Sequence, residues 1–174
     1  MVHQDFNLLV SCPRFHETDA IAEMWYLLSN IGDNEAKSEQ TVFPGLIVTK
    51  TSLEPLQAVK NLRVLIAEDP VILKFVLKIM PIEVIVNTTL ENITKIVANL
   101  GSRIMPNETF RITAKSRFSS IDSQELILKA AKFIDRKVDL SNPDKILLIQ
   151  ILGSITGLAL VQPQDIISKS EYPI

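Results

Sequence analysis

The chain has 174 residues, 47% hydrophobic and 22% charged, with a net charge of −2 and a pI near 5.7. That composition suits one medium or two small cores, and no apolar run reaches the roughly 18 residues that a membrane span needs. A single Cys and two His exclude an internal disulfide and a Cys-rich zinc site, and the N-terminus MVHQDFNLLV lacks a basic, then apolar leader pattern, so a cytoplasmic protein is expected.

FNLLVS (6–11) is a short apolar run before Pro13 and predicts a strand. Over 17–31, Ile21, Met24, Trp25, Leu28 and Ile31 recur at helical spacing, which places Trp25 in the core, and Gly32 suits a helix stop. Glu17, Asp19 and Glu23 are expected in the acidic start of that helix. TVFPGLIVTK (41–50) has β-rich runs on either side of a Pro44-Gly45 turn signal. SLEPLQAVKNLRVLIAE (52–68) predicts a helix with Pro55 in its first turn and an inner stripe of Leu56, Val59, Leu62 and Ile66. The later part of 71–79 predicts a strand. Residues 6–80 thus read β-α-β-β-α-β, the ferredoxin-like order.

A second set of elements follows Pro81. Thr88 to Glu91 has capping-box spacing; Leu90, Ile93, Val97 and Leu100 mark a helix that Gly101 stops. FRITAK alternates as a strand. Asp122 is the expected cap of a helix through Leu126, Ala130, Phe133 and Ile134. KILLIQIL (145–152) reads as a strand covered on both faces, and ITGLALV (155–161) as its hairpin partner. The fold expected is α+β: a ferredoxin-like domain over 1–80, an α-β-α-β-β domain over 81–165, and a tail over 166–174.

Five glycines form no dinucleotide or P-loop phosphate cradle, and no G-x-S-x-G elbow occurs. Cys12 and His16 have no evident orienting group, so a loop-and-core role outweighs a catalytic pair. Cys12-Pro13-Arg14 is the only candidate anion loop for a small acyl-phosphate hydrolase, and it lacks glycines. A non-enzyme without cofactor or metal is expected.

Charge is uneven. Residues 1–102 carry 8 Lys/Arg and 12 Asp/Glu, whereas 103–145 carry 9 and 6. The most basic stretch is FRITAKSR (110–117). With Phe110, Ile112 and Ala114 inward, Arg111, Thr113 and Lys115 point the other way.

ETFRITAKSR (108–117), DSQELILKAAKFI (122–134) and KVDLSNPDKILLIQILGSITGLAL (137–160) together resemble a THUMP domain, with Val-Asp-Leu-x-Asn-Pro the most specific part. NLLVS, the helix ending LLSNIGD, FPGLIVTKT and KIMPIE extend the likeness to roughly residues 6–165 and are similar to stand-alone THUMP proteins of the tRNA-acetylation adaptor type. The resemblance implies an adaptor that grips the acceptor stem and 3′ end of tRNA. It would present tRNA to an RNA cytidine acetyltransferase that makes N4-acetylcytidine in the D-arm. A partner enzyme that thiolates or methylates tRNA is the alternative. The overall acidity departs from the pattern and implies a grip shared with the partner.

On this reading Lys115, Ser116 and Arg117 are phosphate contacts, with Ser119 and Ser120 as neutral donors. Arg111, Asn142, Lys145, Lys78 and Arg103 are further candidates. Arg136 and Lys137 either contact RNA or offset the helix C-terminus. Asp139 is expected to turn the chain before Asn142-Pro143. Phe118 is the candidate stacking ring for a single-stranded end, although a core position is the stronger expectation.

Overall fold

The structure, a computed structural model, describes residues 4–173. Met1–His3, part of the stretch read for a leader, and Ile174 of the expected tail lie outside the described residues. The chain forms two units. One runs to Ile82 and includes the segment from Gln164 onward; the other is Glu83–Pro163. Among the described residues no helix is long and apolar enough to cross a membrane.

The first unit contains β1 (Leu8–Ser11), α1 (Glu17–Asn30), β2 (Lys37–Gln40), β3 (Leu46–Lys50), α2 (Pro55–Glu68) and β4 (Lys78–Pro81). This is the expected β-α-β-β-α-β order, and the strands lie antiparallel as β4-β1-β3-β2. Leu8 and Val10 pack against Met24 and Leu28 of α1 and Leu62 and Ile66 of α2. Pro55 needs no donor at the start of α2, and the Glu54 carboxylate accepts the Gln57 N–H at 2.9 Å.

Three expectations shift here. The strand before Pro44 lies at 37–40, not 41–43. KSEQ is a solvent-facing edge strand, so it shows no apolar alternation. Residues 41–45 are the turn itself. Gly45 has φ +74°, a Cβ there would lie 2.7 Å from the Cys12 carbonyl oxygen, and its N–H donates to Glu17 at 2.7 Å. The buried face of α1 is Ala20, Glu23, Met24, Leu27 and Leu28, which leaves Trp25 60% exposed. Glu23 is therefore buried and not part of a solvated first turn. Its carboxylate accepts the backbone N–H groups of Lys74, Phe75 and Val76.

The second unit contains β5 (Val84–Asn87), α3 (Leu90–Gly101), β6 (Thr109–Arg117), α4 (Ser123–Ala131), β7 (Lys137–Val138), β8 (Lys145–Leu152) and β9 (Ile155–Val161). The sheet order is β5-β9-β8-β6-β7, with β6 parallel to both β7 and β8. Ile93 and Val97 of α3 and Leu126 and Ala130 of α4 cover one face, over Phe110, Ile112, Leu147, Ile149 and Leu158. Every residue of Ile146–Leu152 is buried, as the continuous apolar run predicts.

The expected α-β-α-β-β order lacked β5 and β7. β5 does carry an apolar run, Val84–Val86, but three residues are too few to define a period, and β7 is two exposed residues with no apolar pattern. α3 is capped by Thr89, not Thr88; Thr88 Oγ1 instead lies 2.8 Å from Thr156 Oγ1. Gly101 is the last helical residue and not a left-handed stop. A Cβ there would meet Ile134 Cγ1 at 2.6 Å, so this glycine admits a neighbour rather than reversing the chain.

Residues beyond Pro163 are not a loose tail. β10 (Ile167–Ser168) pairs antiparallel with β4, Ile167 opposite Ile79. A two-residue strand has no readable period. What holds the segment is Arg63 of α2, which donates to the carbonyls of Gln164 (2.9 Å) and Ile166 (2.8 Å), to Glu171 (2.7 Å) and to the Tyr172 hydroxyl (3.1 Å). Arg63→Ala is expected to lower stability by about 2 kcal/mol, with part of the ion-pair term lost to solvent screening. Chemical denaturation with a midpoint shift and unchanged slope would check it.

Candidate nucleic-acid interface

β6 leaves the sheet between two structural constraints. On one side the β8–β9 turn closes against it: the Gly153 N–H donates to the Arg117 carbonyl at 2.8 Å. On the other the chain must reach α4, whose cap Asp122 accepts the Glu125 N–H at 3.0 Å. Phe118 makes the reversal with φ +53°, a left-handed conformation that costs a bulky residue about 1 kcal/mol. Its ring is 75% exposed, so the expectation of a core position for Phe118 is wrong. A strained, solvent-facing aromatic is poor for stability and well placed for stacking.

Arg117 lies on the strand face opposite the helices, in register with Leu152. Burial pushes its pKa below the ordinary arginine value. Its one hydrogen bond runs from Nη1 to Gln150 Oε1 at 3.0 Å, and no carboxylate offsets its charge among the described residues. Gln150 is itself buried, so it fixes the guanidinium direction. Lys115 is exposed on the same face, opposite Gln150 in the register. Ser116 points to the helix side, where its buried Oγ has no hydrogen-bond partner among the described residues. The loop adds Ser120, exposed, and Ser119, whose Oγ accepts the Ile121 N–H.

The remaining candidates are elsewhere. Arg111 is six residues down the strand, roughly 20 Å from Arg117 at 3.3 Å per residue. Its Nη1 donates to the Leu140 carbonyl at 2.8 Å. Lys145 pairs with Glu108, whose carboxyl is held below its usual range by that bond and by the Met105 N–H. Arg136 donates to the Ile104 and Asp135 carbonyls. Arg103 forms a double bond-pair with Glu83 at 2.8 and 3.0 Å. Asp139 turns the chain by accepting the Ser141 and Asn142 N–H groups. Lys137 and Asn142 are exposed near that end, and Lys78 sits in β4 of the first unit. The structure thus places Lys115, Arg117 and Phe118 at one end of β6, and most of the other candidates elsewhere, bonded to carbonyls or carboxylates.

The sequence reading missed Gln150 as a site residue. The signal was present, because a lone amide inside KILLIQIL must find a partner if it is buried. At the first unit's Cys12, burial and the nearby Glu17 and Asp19 push the thiol up to about 11, so it is not a nucleophile at neutral pH. His16 Nδ1 lies 2.8 Å from Asp19, and its ring stacks on Phe75 with centroids 5.1 Å apart.

The second unit is an α+β module whose parallel strand ends in a fixed, uncompensated cation beside an exposed ring. Residues 87–161 match the THUMP domain family, and the chain carries a THUMP domain over them. A search of curated proteins returns no match. Among solved structures the chain is similar to PH1313 from Pyrococcus horikoshii Ot3, with 20% identity and TM-score 0.63 over 94% of this chain and 55% of that one. It is also similar to TrmN from Thermus thermophilus, with 15% identity and TM-score 0.57 over 90% of this chain and 46% of that one. A 4-thiouridine synthetase in complex with RNA and ATP aligns at 12% identity and TM-score 0.54, over 91% and 42%. These likenesses establish the fold, and the chain spans about half the length of the structures it matches.

Proposed function

We propose that this protein is a non-catalytic adaptor that binds the acceptor stem and 3′ CCA end of tRNA and presents the tRNA to a separate modification enzyme. The observation that carries the reading is Arg117, a half-buried cation aimed by Gln150 and offset by no carboxylate among the described residues. A phosphate beside it supplies the missing counter-charge. Phe118 then offers a ring to an unstacked base one residue beyond the cation. The THUMP match supports RNA as the anion.

The partner best supported by the resemblance over residues 6–165 is an RNA cytidine acetyltransferase making N4-acetylcytidine in the D-arm. A second reading, a partner that thiolates tRNA, draws on the likeness to the 4-thiouridine synthetase. Nucleoside mass spectrometry of tRNA from cells lacking this protein separates them. Loss of N4-acetylcytidine is the expected result; loss of 4-thiouridine alone supports the second reading. An unchanged nucleoside profile contradicts both.

A further inference from the structure

The first unit has a groove of about 520 Å3 between α1 and the short helical turn Pro70–Ile72. Its walls are Tyr26, 49% exposed, and Val71, 55% exposed, with Ala22, Ile72 and Phe75 between them. The groove is prebuilt. Glu23 pins the backbone of Lys74–Val76 through three N–H groups, and the His16 ring stacks on Phe75. A preformed apolar groove binds without first ordering its own walls.

Charge selects the occupant. The lining also includes Asp69 and Lys74, and Asp19, whose Oδ2 lies 2.8 Å from His16 Nδ1. The whole first unit has 8 Lys/Arg and 12 Asp/Glu, net −4, whereas the second has 10 and 8, net +2. A net-negative unit favours a basic protein segment over RNA as its ligand. We propose that the groove docks a protein segment in which Lys or Arg residues flank large apolar side chains, supplied by the partner enzyme. This rests on the adaptor reading and assigns its partner-binding surface. The apolar side chains fill the space between Tyr26 and Val71, and the cations meet Asp19 and Asp69.

The test uses the full chain and two labelled amphipathic peptides of one Leu pattern, one with Lys on its polar positions and one with Glu. Fluorescence anisotropy is expected to give at least tenfold tighter binding of the Lys peptide. Val71→Ser and Tyr26→Ser, which alter no charge, should each weaken it about tenfold, and Asp69→Asn about threefold. Backbone NMR shifts should cluster at residues 19–26 and 69–75. Equal binding of both peptides, or binding unaffected by the two Ser variants, overturns the proposal. So does loss of tRNA binding in those variants, which would make the groove an RNA surface, or loss of a self-association, which would assign it to a second copy. tRNA binding by the unaltered protein is measured alongside: its absence counts against the adaptor reading, whereas its presence without peptide binding counts against the groove alone.

Discussion

Glu23→Ala should lower unfolding stability by about 3–5 kcal/mol, from loss of a buried acceptor shared by three backbone donors. The Val76 N–H lies 2.6 Å from Oε2 and the Lys74 N–H 2.8 Å from Oε1, and the Phe75 N–H reaches both oxygens at 3.1 Å. Alanine supplies no acceptor. Water can reach part of the site at Lys74, which is exposed, but Val76 is buried. At roughly 1–3 kcal/mol per abandoned buried group, the loss is a large share of the ~5–15 kcal/mol that domains of this size hold. Glu23→Gln keeps one oxygen but turns an amide NH2 toward the donors, so about half of the loss is expected. Urea denaturation measures both. A loss under about 1 kcal/mol for the alanine variant would mean the 74–76 loop finds other partners.

Arg117→Ala should weaken tRNA binding about tenfold and reduce the slope of log K against log salt by about one phosphate contact. Lys115→Ala should change the salt slope similarly with a smaller loss, because an exposed ammonium competes with water and counterions. Arg111→Ala is the control: its guanidinium is bonded to the Leu140 carbonyl and lies roughly 20 Å away, so affinity should stay within about twofold. Function and stability separate at Arg117. Removing a half-buried cation relieves desolvation but leaves Gln150 Oε1 without its donor, and the two changes oppose each other. Arg117→Met should therefore fold with stability within about 1 kcal/mol of the original while losing the RNA contact. Gel-shift titration over a salt series checks the set, and equal slopes for Arg117→Ala and the original protein would remove Arg117 from the interface.

Apolar periodicity made most of the fold legible. α2, β8 and β9 lie where their patterns predict, because each buries a repeating face; α4 begins as expected but ends at Ala131, short of Phe133, which is 52% exposed. β2, β5, β7 and β10 were not seen or were displaced. They are the edge strands of the two sheets, two to four residues long, and too short for a side-chain period to be read even where, as in Val84–Val86 of β5, the residues are apolar. β10 depends on Arg63, about a hundred residues earlier, which no local pattern reveals. The basic strand was legible as a strand and as a charge excess. Which cations are held in ion pairs or carbonyl bonds was not, since that is decided by partners distant in sequence: Glu83 for Arg103, Glu108 for Lys145, Leu140 for Arg111. Phe118 failed for a related reason. Hydrophobicity argues for burial, but a residue in the left-handed turn after β6 is directed by the backbone reversal and not by the core.

Photo-cross-linking of a tRNA carrying 4-thiouridine within its 3′-terminal nucleotides tests the central claim most directly. The proposed interface predicts cross-links to residues 115–120, centred on Phe118, and their loss when the CCA end is removed. Cross-links confined to the first unit, or identical yields with intact and trimmed tRNA, would contradict it.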